Sequence, residues 1–131
     1  MEYAIQVHGL CKNYKDFSLQ NVTLNVPTGS IVGFVGENGA GKSTTLKAIL
    51  GAIRPDGGEV EILGGSAQDK AVRAQVGIVF EDAFFYETMT PVQVGKSLAG
   101  MRPGFDGQHY AELLARFDLP PKKIIKDMSR G

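Results

Sequence analysis

Several things are scarce in this sequence, and each scarcity closes a class of function. Lysine and arginine number 14 and so do aspartate and glutamate, so no net charge is left over. Nucleic-acid binders usually show a basic face or stripe; the nearest thing here is the tail "PKKIIKDMSR" (121–130), and no nucleic-acid partner is expected. Cys11 is the single cysteine, which excludes an internal disulfide and fits a reducing compartment. No apolar run approaches the ~20 residues that cross a bilayer, so a membrane role would have to run through a partner. The start, "MEYAIQVHGL", carries an acid and alternates, which reads as a strand rather than a signal peptide. Internal repeats and low-complexity tracts are also missing. At 131 residues there is room for one domain with a modest core.

What is present is ordered. Residues 3–7 and 22–26 alternate apolar and polar, the pattern of half-buried strands, with "PTGS" (27–30) turning the chain after the second. "IVGFV" (31–35) and "VGIVF" (76–80) are apolar on both faces and predict central strands of a covered sheet. "EVEIL" (59–63) predicts a further alternating strand. Helices are predicted over 43–50, where Gly51 stands ready to stop the run, and over the short stretch 68–75. Thr90-Pro91 is an N-cap followed by proline in the first helical turn. Asp106 can cap a helix whose stripe is Tyr110, Leu113, Leu114 and Phe117, and "DLPP" (118–121) breaks the chain again. The division expected is a β region with a strand–loop–helix core over 1–88, then a helical part over 89–131.

The stretch "GFVGENGAGKSTTL" (33–46) carries the chemistry. Gly36-x-x-x-x-Gly41-Lys42-Ser43 meets every fixed position of the phosphate-binding loop, between a buried-type strand and an amphipathic helix. Glycines let the backbone curl until successive N–H groups form a concave anion site. The positive end of the following helix reinforces that site. Lys42 can reach the β- and γ-phosphates as a point charge, and the Ser43 hydroxyl can ligate Mg²⁺. The expected nucleotide-binding residues of this stretch are Gly36, Asn38, Gly39, Ala40, Gly41, Lys42, Ser43 and Thr44. A GTPase would need an Asn-Lys-x-Asp element after the loop; "NYKD" (13–16) has the wrong spacing and precedes it.

With the loop placed, the chain resembles the first part of the ATP-binding domain of ABC transporters, most closely over 12–64. The resemblance implies an α/β P-loop NTPase fold with a small N-terminal antiparallel β region and a C-terminal helical region. In that family an aromatic ahead of the loop stacks on adenine, and Tyr14 stands at that position. "VGIVFEDAFFYETMT" (76–90) matches the family's Q-loop stretch, with Glu81 where glutamine is usual. The resemblance thus marks Glu81 as the catalytic candidate and, with Ser43, as a metal ligand. "DMSRG" (127–131) resembles the signature motif: Ser129 and Gly131 match, Met128 is a similar apolar residue, and Arg130 departs. In the family this motif reaches the γ-phosphate held by the other subunit of a head-to-tail dimer. "SRG" with "FED" resembles exporter subunits of the bacitracin-resistance type.

The resemblance therefore implies an ATP-binding subunit that uses ATP and Mg²⁺. It would pair with a second ATP-binding subunit and a transmembrane permease, on the cytoplasmic face of the membrane. No apolar strand ending in Asp-Glu follows the signature, and His8 and His109 lie in a strand and a helix, so neither is a switch histidine. The sequence is accordingly expected to be a truncated domain with an incomplete core sheet, inactive by itself. Rival readings remain open. One takes "GIVFED" (77–82) as a Walker B strand; the others are a soluble ABC-type ATPase with no membrane partner, a non-catalytic nucleotide-binding module and a small phosphotransferase.

Overall fold

A computed structural model describes residues 1–81 and 86–129, and the chain divides into two compact units, Met1–Ile78 and Val79–Gly131. In the first unit the strands are β1 (Tyr3–Asn13), β2 (Ser18–Pro27), β3 (Gly57–Ile62) and β4 (Gly65–Ser66). They form one antiparallel sheet in the order β2-β1-β3-β4. Both alternating segments near the N-terminus are strands, longer than their periodicity indicates. The extra length follows from a bulge. Val7 and Leu10 are both 0% exposed although three residues apart, a spacing that a regular strand would send to opposite faces. The pairing with β2 shifts register between them, and Gly9 takes φ +58 there, so the bulge turns Leu10 back to the face of Val7.

Helix α1 (Lys42–Ile49) follows the glycine loop, and Gly51, at φ +67, ends it by donating its N–H to Ala48 O. Ala48 and Ile49 of α1 join Val7, Leu10, Leu19, Val60 and Ile62 in one apolar core, which Ala67 and Val72 extend. Helix α2 (Lys70–Arg73) is a single turn capped by Asp69, shorter than its pattern predicts.

Two predicted strands are absent. Residues 31–35 and 76–80 enter no ladder among the described residues, with Ile31 103%, Val35 90% and Val79 98% exposed. A strand apolar on both faces needs hydrogen-bonding neighbours and cover on both sides. Among the described residues the one sheet formed spends its apolar residues on α1 and provides neither. The core sheet is thus incomplete, as expected, and the two segments that should have formed its centre are corrected to irregular backbone.

The second unit is held by local capping. α3 (Pro91–Met101) opens with a capping box: Thr90 Oγ1 accepts from Gln93 N at 3.3 Å, and Gln93 Oε1 accepts from Thr90 N at 2.9 Å. α4 (Gly107–Arg116) is capped by Asp106, whose Oδ1 accepts from His109 N at 2.9 Å. The Tyr110 hydroxyl donates to Pro91 O at 2.7 Å, tying α4 to the start of α3, and partial burial raises the pKa of that phenol. The predicted α4 stripe needs one correction. Leu114 is buried, but Phe117 is 67% exposed, because it lies past the last helical turn as the C-cap.

Candidate functional site

The glycine loop acquires its shape from two left-handed residues, Gly39 at φ +86 and Gly41 at φ +96. Gly41 is also the N-cap of α1 and has no side chain to offer the helix. The first intrahelical bond is Thr45 N to Gly41 O at 2.9 Å, so the N–H groups of Lys42, Ser43 and Thr44 lack a helical partner. No acid sits in the first turn to neutralise them. The Thr45 hydroxyl also donates to Gly41 O at 2.9 Å, and Thr45 is buried, which anchors the base of the loop in the core.

The Lys42 ammonium folds over this loop. It donates to Gly36 O and to Glu37 O, the latter at 2.9 Å. An anion bound here would take over bonds that the loop's own carbonyls now make. The residues Glu37, Asn38, Gly39, Gly41, Lys42, Ser43 and Thr44 line a cavity of about 490 Å³, in the range of small-ligand sites.

Phe17 completes that lining, a residue that sequence reasoning missed. Tyr14 and Phe17 begin and end the connection between β1 and β2, residues 14–17, and Tyr14 N donates to Phe17 O at 2.7 Å. Only Phe17 reaches the cavity wall; Tyr14 is 46% exposed and stands outside the lining. No local pattern distinguishes Phe17, because its contact is with Gly41, distant in sequence. The ring of Tyr14 is met instead by the Lys12 ammonium, 5.7 Å from the ring centroid. Asp56 holds Lys12 in turn, with 3.3 Å between Lys12 Nζ and Asp56 Oδ1. The Asn13 backbone N–H and then the Lys12 hydrogen bond lower the Asp56 pKa, and desolvation opposes them weakly.

The other predicted residues lie in the second unit. Glu81 is exposed in a bend, and Ser129 is exposed just after a short 3-10 turn (Ile125–Asp127). Gly131 and Arg130 of the signature-like tail, and Asp82 of the alternative Walker B reading, lie outside the described residues. His8 is exposed on β1, and His109 pairs on the surface of α4 with Glu112 at 3.7 Å. Among the described residues no group of three His, Cys, Asp or Glu side chains could cage a metal. The Ser43 hydroxyl in the loop cavity is the kind of oxygen donor that would suit a hard cation held jointly with phosphate oxygens. A larger, mostly apolar groove of about 790 Å³ lies in the second unit, lined by Val92, Ala99, Tyr110, Leu114 and Pro120 among others.

Comparison with known proteins agrees with this geometry. The family model described as ABC transporter matches residues 19–131. The bacitracin transport ATP-binding protein BcrA of Enterococcus faecalis is 32% identical over 136 residues, covering 100% of this chain and 44% of that protein. The daunorubicin/doxorubicin resistance ATP-binding protein DrrA of Streptomyces peucetius is 36% identical over 137 residues, covering 98% and 41%. A solved structure described as the ATP binding subunit of an ABC transporter superposes with a TM-score of 0.78 at 30% identity, over 97% of this chain and 56% of that one. The chain thus spans less than half the length of these two curated relatives. The glycine loop on α1, the antiparallel sheet beside it and these matches place the chain in one family: it belongs to the ABC transporters and corresponds to part of their ATP-binding domain.

Proposed function

We propose that this chain binds MgATP at the glycine loop and that, in the complete protein, it powers transport through a membrane-embedded partner. The observation that carries the reading is convergence: three N–H groups at the start of α1 that have no helical partner and the Lys42 ammonium meet at one cavity of about 490 Å³. That is the donor set a triphosphate requires. Lys42 would exchange its bonds to the Gly36 and Glu37 carbonyls for β- and γ-phosphate oxygens. Ser43 would hold Mg²⁺, which supplies charge neutralisation to the phosphates when bound. Phe17 walls the cavity, and Tyr14 gives the base a ring on which to stack.

ATP-binding domains of this family are ATPases that work with transmembrane permease partners. No helix among the described residues is long and apolar enough to cross a membrane. The finer assignments are part of the proposal. Glu81 is the catalytic and Mg²⁺-ligating candidate, and Ser129 with Gly131 would serve the nucleotide of a second subunit in a head-to-tail dimer. Attachment to the inner face of the membrane would run through the permease. A peptide antibiotic or drug is the cargo class favoured by the names of the two relatives, as an export substrate.

The 131-residue chain alone is proposed to hold nucleotide without turning it over. Calorimetric titration with ATP, with and without Mg²⁺, tests the reading. Saturable binding that Mg²⁺ strengthens is the expected result. Failure of both ATP and inorganic tripolyphosphate to bind would remove the proposal. Phosphate release above ~1 s⁻¹, the low end of ordinary enzymes, would overturn the inactivity of the isolated chain.

A further inference from the structure

We infer that Lys12 and Asp56 are positioning residues for base recognition, a clamp that presets the ring of Tyr14. This rests on the proposal that Tyr14 stacks on the base. Asp56 lies in the connection between α1 and β3, yet it is bonded three times to the end of β1. Its own N–H donates to Cys11 O at 2.9 Å. Its Oδ2 accepts from Asn13 N at 2.7 Å, and its Oδ1 accepts from Lys12 Nζ at 3.3 Å. Lys12 Nζ donates as well to Arg54 O at 2.9 Å, so two acceptors on the same connection fix the ammonium.

The consequence falls on the next residue. Asn13 N is held by Asp56, and Tyr14 N is held by Phe17 O at 2.7 Å, so consecutive backbone N–H groups are pinned where the strand ends. The immobilised ammonium then lies over the Tyr14 ring, 5.7 Å from its centroid, a cation–π contact that occupies one face. A half-exposed tyrosine would otherwise sample several rotamers and would have to stop on binding. Holding it beforehand removes that ordering cost from the binding step. Neither Lys12 nor Asp56 lines the cavity of the glycine loop. Its effect should therefore appear with a ligand that has a base and vanish with one that has only phosphates.

The experiment measures dissociation constants for ATP and for inorganic tripolyphosphate in the wild-type chain and in Lys12→Met, Lys12→Arg, Asp56→Asn and Tyr14→Ala, with thermal midpoints alongside. Lys12→Met and Asp56→Asn should each weaken ATP about two- to tenfold, the cost of one newly mobile side chain, and leave tripolyphosphate unchanged. Lys12→Arg, which keeps a cation over the ring, should restore ATP affinity. Adding Lys12→Met to Tyr14→Ala should change nothing further. The inference is overturned if Lys12→Met leaves ATP binding intact while Tyr14→Ala weakens it selectively; the stacking proposal then survives without the clamp. It is overturned too if Lys12→Met weakens both ligands alike, which marks a purely structural ion pair. If Tyr14→Ala itself weakens both ligands equally, the stacking reading fails and the clamp with it. Asp56→Asn keeps an acceptor for Asn13 N, and the same ligand split in that variant decides the matter should Lys12→Met not fold.

Discussion

Leu19 of β2 stands so close to Gly41 that a Cβ added at Gly41 would lie 2.6 Å from Leu19 Cδ1 and 3.1 Å from the Phe17 ring at Cζ. The glycine that lets the loop turn is therefore also the residue that lets the core reach the site. Gly41→Ala is expected to lose stability on two grounds. Overpacking costs roughly 1–3 kcal/mol, and a side chain at φ +96 adds a backbone penalty of about 1–2 kcal/mol. A urea denaturation series checks this, and a midpoint equal to wild type would show that the contact relaxes freely.

Lys42→Ala should weaken MgATP binding by about 1.5–3 kcal/mol, the range for a hydrogen bond to a charged group, or roughly ten- to a hundredfold. Among the described residues its ammonium is the one cationic group lining the loop cavity. The bonds lost in the free protein, to the Gly36 and Glu37 carbonyls, are exposed, so the fold should survive. Titration with a fluorescent ATP analogue measures the change. Equal dissociation constants would reject the assignment of the loop.

In the complete ATPase, Glu81→Gln should keep Mg²⁺-dependent turnover within about tenfold, since an amide oxygen still ligates a hard cation. On the proposed role of Glu81 as a Mg²⁺ ligand, the pH and Mg²⁺ profiles should shift, because the substitution removes a negative charge. Steady-state rates across both variables provide the measurement. A loss of more than about a hundredfold with binding intact is the signature of a missing general base, and would favour the Walker B reading of "GIVFED".

Acid should loosen the junction of β1 with the α1–β3 connection. The Asp56 pKa is lowered in the folded chain, first by the Asn13 N–H and then by Lys12. A depressed folded value means that the carboxylate stabilises the fold above its unfolded pKa, near 3.9, and that this is lost as pH falls through the lower folded value. Comparing wild type with Asp56→Asn by thermal melting should show a gap near pH 6 that closes below about pH 4. A gap unchanged down to pH 2.5 would show that the carboxylate's charge contributes nothing.

The shape of the glycine loop was legible in the sequence because its causes are local. The loop needs left-handed residues at Gly39 and Gly41 and a helix directly after, and all of these lie within a few residues of one another. The caps at Thr90 and Asp106 were readable for the same reason, since each side chain bonds an N–H three residues on. Tertiary structure decided the rest. Whether 31–35 and 76–80 become strands depends on partners elsewhere in the chain, and the only sheet among the described residues leaves both unpaired. Periodicity records the apolar faces of a segment but not the neighbour that must accept its hydrogen bonds. Phe17 reaches the loop cavity, and Asp56 reaches Lys12 across 44 residues, because the turn between β1 and β2 and the connection before β3 meet at the same end of three neighbouring strands. Spacing along the chain carries the glycine loop and its helix; proximity made by strand pairing brings Phe17 to the loop cavity and Asp56 to Lys12.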